Sequence, residues 1–365
     1  MQNERVRQAR ELAERQGLDA LAIVPGPNML HLSGISLHLS ERPSVLLIPV
    51  DDEPAMVLPE FEAAKARSLG LRAFAYSDEE GYALAFHEAS VALELADARV
   101  GVEDLRMRVL EAGILERYAP GVTLVPVNDL FAGLRLCKTQ EELTLMRSAI
   151  AIAEKAFLDW LEDLHVGMTE REAAALLVAA LLRGGADTLA FEPIVAGGPN
   201  GALPHAVPSD RAFAAGDWVV VDWGAAVSGY DSDLTRVVVF GQAQEPLATV
   251  CDLVIAANRA GRMAVRPGIE AQAVDAATRA VITDGGYGPQ FTHRTGHGLG
   301  RESHEPPYIV AGNPQRLEPG MVFTVEPGIY LEGTGGVRIE DNVVVTAHGC
   351  ETLTTLARSP FIVSI

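Results

Sequence analysis

Residues 214–224 read "AAGDWVVVDWG" and residues 318–328 read "EPGMVFTVEPG". The two stretches line up. In each, a glycine (Gly216 or Gly320) is followed six residues later by an acid (Asp222 or Glu326), and then by another glycine, Gly224 or Gly328. The run between glycine and acid is apolar and rich in valine, which reads as a strand. Each unit continues through a loop to a second acid: Asp233 lies eleven residues after Asp222, and Glu340 fourteen after Glu326. Two similar hairpins with two carboxylates each predict a domain built as two halves about a pseudo-twofold axis, with four acids meeting at the seam.

Four carboxylates brought together repel one another and hold protons. Divalent cations remove that conflict. A second stretch supplies an imidazole: "HRTGHGLGRESHEPP", His293–Pro307, places three of the nine histidines within twelve residues. His297 sits between Gly296 and Gly298, where the lack of side chains permits close approach, and is the natural imidazole ligand. That leaves His293 and His304 to handle substrate. Oxygen ligands plus one imidazole suit manganese, cobalt, iron or zinc. Two ions sharing carboxylates can hold a hydroxide between them and polarise a carbonyl. "GHGLG" is not a dinucleotide loop, because the strand before it and the helix after it are not in the required order.

Outward from the seam, "GMT" leads into a helix that Thr169 caps, with Glu172 completing a capping box. Before it, residues 139–161 carry Leu143, Met146, Ile150, Ala153 and Phe157 at helical spacing. One helical region is expected at about 246–284. Residues 1–130 alternate helices (near 3–16, 60–69 and 83–96) with short apolar runs such as "DALAIV", "PSVLLIPV" and "RAFAYS", and "PGPNML" reads as a loop. This predicts a compact α/β domain over 1–130, ahead of a second domain over 131–365. The 365 residues, 48% hydrophobic, are ample for two cores. A net charge of −20 disfavours nucleic acid and anionic lipid as partners. Cys137, Cys251 and Cys350 are odd in number and far apart, which fits a reducing cytoplasm. No apolar run reaches membrane-spanning length.

Together, "VDWGAAVSGYDSDLTR", "HRTGHGLG", "TVEPGIY" and "GGVRIEDNVVVT" resemble the pita-bread metallopeptidases, in the Xaa-Pro dipeptidase (prolidase) and Xaa-Pro aminopeptidase branch. The resemblance runs from about "LRLCKTQEELTLMRSA" to the C-terminus. It implies an α+β pita-bread catalytic domain preceded by a smaller α/β domain. It implies Asp222, Asp233, His297, Glu326 and Glu340 as ligands of two divalent ions, with Asp233 and Glu340 shared. Manganese is the first choice, with cobalt, zinc or iron as alternatives. By the same resemblance Glu326 shuttles the proton of a bridging hydroxide. "GGPNGALPH" puts His205 near the scissile carbonyl, His304 resembles the ring that supports the tetrahedral intermediate, and His293 the one lining the proline pocket. Arg338 resembles the arginine that orients a metal-bound carboxylate beside the substrate. The implied activity is hydrolysis of Xaa-Pro dipeptides, with an Xaa-Pro aminopeptidase acting on longer peptides as the alternative. A homodimer is the implied assembly.

Three other readings compete. A metal-free creatinase-like hydrolase departs at the ligand positions, and this chain keeps all five. A pita-bread binding protein without catalysis usually loses ligands or histidines. A dinuclear phosphatase needs a basic pocket that a −20 chain does not favour. One expectation comes from charge alone. Four carboxylates and two divalent ions are formally neutral, so a dipeptide's own carboxylate needs a cation. The loop "GISLHLSERPSV", 34–45, offers Arg42 as a bidentate clamp, with Arg294 and Arg301 as local alternatives.

Overall fold

The computed structural model describes residues 2–365, with side chains from Glu4 onward. The chain separates into two compact units, Met1–Arg135 and Leu136–Ile365. Among the described residues no helix is long and apolar enough to cross a membrane.

In the first unit the helices are α1 (Gln2–Arg15), α2 (Pro27–Ser33), α3 (Glu60–Ser68), α4 (Ala83–Ala92), α5 (Val109–Tyr118) and α6 (Asn128–Leu136), the last crossing the division. The strands are β1 (Ala20–Ile23), β2 (Val45–Pro49), β3 (Ala55–Pro59), β4 (Arg72–Tyr76), β5 (Arg99–Val102) and β6 (Thr123–Pro126). They form one mixed sheet in the order β4-β3-β2-β1-β5-β6. Alternate residues of β1 enter two different cores: Ala20 and Ala22 join Phe86, Ile114 and Leu115, while Leu21 and Ile23 join Met29, Leu32 and Phe131. Helices therefore cover both faces, which is why the central strands read as continuous apolar runs. "PGPNML", expected as a loop, begins α2 instead. Pro27 occupies its first turn, where a missing N–H costs nothing, and Gly34 ends it at φ 75.

The second unit opens with α7 (Gln140–Leu161) and α8 (Glu170–Arg183), and both carry the capping boxes that Thr139/Glu142 and Thr169/Glu172 encode. The strands β7 (Thr188–Leu189), β8 (Ile194–Gly197), β9 (Trp218–Trp223), β10 (Ala225–Val227), β11 (Tyr230–Asp231) and β12 (Leu234–Phe240) follow. The helical region near 246–284 is two helices, α9 (Leu247–Ala264) and α10 (Ala271–Asp284). Pro267 and Gly268, the latter at φ +86, break it. Then come β13 (Gly296–Gly298), β14 (Glu305–Ile309), β15 (Val322–Val325), β16 (Gly328–Leu331), β17 (Gly335–Arg338), β18 (Asp341–Thr346), β19 (Gly349–Thr352) and β20 (Phe361–Val363).

The two halves follow one plan. A helix pair, α7–α8 or α9–α10, accompanies an antiparallel strand pair, β9–β12 or β15–β18. The repeat's first glycines have the same backbone, φ +88 at Gly216 and +93 at Gly320. Only a glycine enters that region without strain. Their N–H groups donate to corresponding carbonyls, of Phe240 and Val345. In the first half Phe157 stacks on Trp223, centroids 4.4 Å apart, which seats α7 on β9. The halves meet at an isolated bridge between Thr235 and Glu340. Behind it, the fully buried Arg236 donates to the carbonyls of both Thr235 and Glu340 and to the Asp341 carboxylate.

Candidate metal centre

Each acid of the repeat sits at a strand end on the seam. Asp222 is the last residue but one of β9, Asp233 precedes β12, Glu326 follows β15 and Glu340 lies between β17 and β18. His297 is the middle residue of β13, which pairs with both β14 and β15. The flanking glycines explain how that strand fits. A Cβ on Gly296 would lie 1.9 Å from the Thr324 carbonyl oxygen, and one on Gly298 would lie 2.1 Å from that of Pro306. Backbone cannot yield as a side-chain tip can. Gly298→Ala should therefore destabilise the unit by at least about 1–3 kcal/mol and shift His297. Urea unfolding together with metal affinity checks this, and a variant with unchanged stability would contradict it.

Three overlapping groups of ligand-type side chains result: Asp222, Asp233 and Glu340; His297, Glu326 and Glu340; Asp233, His297 and His304. Within each, one ligand atom per residue lies within 4.8 Å of the others. His297 Nε2 is 3.1 Å from Glu326 Oε1 and 3.6 Å from Asp233 Oδ2. Its Nδ1 is 3.2 Å from the Gly298 carbonyl oxygen. With Nδ1 donating there, Nε2 is turned to two carboxylates: without metal a protonated ring donates from it to Glu326, and on losing that proton it would offer its lone pair to a cation held between them. Asp222 Oδ1 is buried without a hydrogen-bond partner, a further orphaned acceptor on the same centre.

The electrostatics agree. Burial, and then the charges of Glu340, Asp222 and Glu326, push the Asp233 carboxyl well above its ordinary range. Burial with Glu326 and Asp222 does the same to Glu340. Asp222 is also raised by burial, against the opposing charge of Arg338. Burial raises Glu326 too, but the hydrogen bond and charge of His297 outweigh it and hold that group down to about 2. The cluster thus binds protons where divalent ions would displace them.

A set of uncharged and cationic partners fixes the acids. Thr235 Oγ1 donates to Glu340 Oε2 at 2.6 Å, and Thr324 Oγ1 donates to Glu326 Oε1 at 3.0 Å. Asn342 exchanges hydrogen bonds with the Asp233 backbone. Arg338 is buried and donates to Asp222 Oδ2 at 2.6 Å, to Thr235 Oγ1, to the Tyr330 hydroxyl and to the Pro204 carbonyl. Sequence reading missed Thr235, Thr324, Tyr330 and Asn342. The only available signal was their position one or two residues from an acid, or across a hairpin from Arg338.

The three other histidines lie around this centre. His293 is partly buried, with Nδ1 2.8 Å from the Arg294 carbonyl and Nε2 2.9 Å from the Tyr330 hydroxyl. Tyr330 accepts from Arg338, so its own proton goes to His293 Nε2, and His293 Nδ1–H donates to the carbonyl. Both ring nitrogens are engaged, and burial lowers the ring's pKa. His293 therefore offers a neutral apolar ring rather than a hydrogen bond. His304 packs its ring 3.8 Å from that of His297, and burial first, then the charges of His297 and Arg294, lower it to about 4. His205 is exposed, next to Pro204, whose carbonyl Arg338 ties to Asp222. The buried Glu170 holds the surrounding loop, accepting from Gly197 N, Asn200 Nδ2 and both Ser209 N and Oγ. Arg42 lies in the first unit, where its guanidinium grips Asp78 through two 2.7 Å hydrogen bonds.

Residues 144–347 match metallopeptidase family M24, and residues 5–137 match the creatinase/prolidase N-terminal domain. The probable dipeptidase PepE of Mycobacterium tuberculosis is 38% identical over 96% of this chain and 93% of its own length. An Xaa-Pro dipeptidase of Pyrococcus horikoshii is 33% identical over 98% of both chains. A solved prolidase from Thermococcus sibiricus superposes with a TM-score of 0.95 at 35% identity, covering 100% of this chain and 99% of that one. The chain belongs to metallopeptidase family M24, with a pita-bread catalytic domain of metal-dependent type behind a creatinase/prolidase N-terminal domain.

Proposed function

We propose that this chain is a metal-dependent Xaa-Pro dipeptidase, with residues 136–365 as its catalytic domain. The observation that carries the reading is the convergence of Asp222, Asp233, His297, Glu326 and Glu340 in overlapping groups at the seam. Relatives with dipeptidase names, alike along nearly the whole chain, point the same way. These five residues would hold two divalent ions. Asp233 and Glu340 each belong to two of the groups and can share a carboxylate between ions, as a single imidazole lone pair cannot. Four carboxylates with one imidazole favour manganese, with cobalt, iron or zinc as alternatives. When bound, such ions act as Lewis acids and lower the pKa of water.

The chain's own groups supply the rest. Glu326, ionised and hydrogen-bonded by Thr324, takes up and returns a proton at its carboxylate oxygens. His304, grouped with Asp233 and His297, and His205 on the loop that follows Pro204 would donate to the scissile carbonyl oxygen. His293, its nitrogens engaged by Tyr330 and the Arg294 carbonyl, presents its ring to the proline side chain. Arg338 holds Asp222 in place. A homodimer goes with this reading on the family resemblance.

The test is hydrolysis by the manganese-loaded protein of Xaa-Pro dipeptides against Xaa-Pro-Xaa tripeptides. Release of proline from dipeptides, with tripeptides cut poorly, is expected. Preferred cleavage of tripeptides would make the chain an Xaa-Pro aminopeptidase, and no cleavage of either would overturn the reading.

Two further results should follow. His205→Ala should lower kcat by roughly 10²–10³, as loss of one carbonyl donor does. Bound metal should not change; loss of metal would move His205 into the ligand set. Metal binding should also release protons. Asp222, Asp233 and Glu340 hold protons above the ordinary carboxylate range, and ligands must lose them. Metal Kd should therefore fall as pH rises through the acid range. Calorimetry at about pH 6 in buffers of different ionisation enthalpy measures the release, and binding without it would contradict the ligand set.

A further inference from the structure

The centre carries four acids, and two of the arginines that the sequence offers as partners of a substrate carboxylate or a ligand are committed elsewhere. Arg338 is bound to Asp222, and Arg42 to Asp78 in its own unit. Arg294 differs. Its guanidinium lies over the Tyr308 ring, 4.6 Å from the centroid, and one NH2 hydrogen goes to His304 Nδ1 at 3.1 Å. Among the described residues no carboxylate pairs with it. It is only partly buried.

The backbone that carries Arg294 is tied down on both sides. Arg279 donates to the carbonyls of Phe291 and His293, and Asp275 accepts from Thr295 N and Oγ1. Both tethers come from α10. The Tyr308 face then limits the guanidinium to one layer. An arginine held this way is pre-organised, so less rotamer entropy is lost when an anion arrives.

Its place on the far side of His304 from His297 fits one anion. His304 separates Arg294 from His297 by a single imidazole ring. In a dipeptide the carboxyl carbon lies about 3–4 Å from the scissile carbonyl carbon, across one nitrogen and one Cα. That is about the width of the intervening ring. A guanidinium has five N–H donors and no acceptor. One is used on His304, which leaves enough for a carboxylate. A longer peptide has a neutral amide at the same place.

We propose that Arg294 receives the free α-carboxylate of the substrate's C-terminal residue and thereby restricts the site to dipeptides. This rests on the Xaa-Pro dipeptidase reading. The contact with His304 adds a second consequence. Because arginine only donates, His304 Nδ1 accepts, and Nε2 carries the proton that the scissile carbonyl needs.

The experiment compares manganese-loaded wild type, Arg294→Gln and Arg294→Lys on Ala-Pro and on Ala-Pro amide. Inhibition by proline and by prolinamide is measured alongside. Arg294→Gln should raise KM for Ala-Pro by roughly 10–100-fold, the effect of losing hydrogen bonds to a charged group. The preference for Ala-Pro over its amide should shrink by a similar factor. Proline should become a correspondingly weaker inhibitor while prolinamide changes far less, and Arg294→Lys should recover part of the loss. Equal losses on both substrates would reduce Arg294 to a support for His304 and overturn the clamp. So would a wild type that prefers Ala-Pro together with an unchanged Gln variant, which leaves the dipeptidase reading intact. A wild type that prefers the amide overturns both.

Discussion

Asp233→Asn and Glu340→Gln should each abolish tight binding of at least one divalent ion and lower turnover by more than about 10³. Both substitutions keep the shape of the side chain and remove its charge. Both residues fall in two of the three ligand groups, so each change should disturb both ions. Asp233 is buried and its backbone is held by Asn342, and Glu340 is held by Thr235, so neither variant should lose the surrounding structure. Removing one of several repelling carboxylates should even relieve the metal-free protein. The signature is therefore specific: metal and activity lost, fold kept. Metal content by elemental analysis, with proline release from Ala-Pro, reads it out. Two retained ions with near-normal turnover in either variant would show that the ligand set is wrong.

Asp341→Asn should cost about 3–5 kcal/mol, because it leaves buried guanidinium charge uncompensated. Asp341 is fully buried and accepts from Arg236 at 2.9 Å, from Arg358 at 2.7 Å and from Thr354 at 2.6 Å. Burial alone would raise its carboxyl, but Arg236 and Arg358 outweigh that and hold it below the ordinary aspartate range. The sign follows. A depressed folded-state pKa gives a contribution complete above the unfolded value of about 3.9, and lost only as pH falls through the folded one. The penalty of Asp341→Asn should therefore be full at neutral pH and shrink in strong acid. Arg236 also holds the carbonyls of Thr235 and Glu340, so the variant should bind metal more weakly as well. Urea unfolding at neutral pH checks the first effect, and an unchanged midpoint would contradict it.

The repeat was legible because one physical need recurs in both halves. A turn at positive φ launches an apolar strand, and the strand delivers an acid to the seam, so glycine, valine run and acid keep their spacing. The capping boxes at Thr139 and Thr169 were legible for a similar reason, since they satisfy local backbone donors. What stayed hidden depends on long-range partners. Arg236 in "LTRVVVF" looks like a solvent-facing position on a strand, yet it is fully buried because Asp341 lies across the seam. Thr235 and Thr324 look like ordinary strand residues, because β-branched side chains suit any pleated surface. Tyr330 shows its role only when β16 and β17 pair and bring it to Arg338. "PGPNML" was misread because proline after glycine marks both a turn and a helix start. The loop around Arg42 carries a cation, as its sequence shows, but only the structure supplies Asp78 as its partner.

The central claim is that Asp222, Asp233, His297, Glu326 and Glu340 form one centre on which peptide hydrolysis depends. Titrating the metal-free protein with manganese while following proline release from Ala-Pro tests it most directly. The account predicts no turnover without metal, two equivalents bound tightly, and activity rising to a plateau as both are taken up. Full turnover by exhaustively chelated protein, or a plateau reached in the Glu340→Gln variant at the same two equivalents, would contradict it.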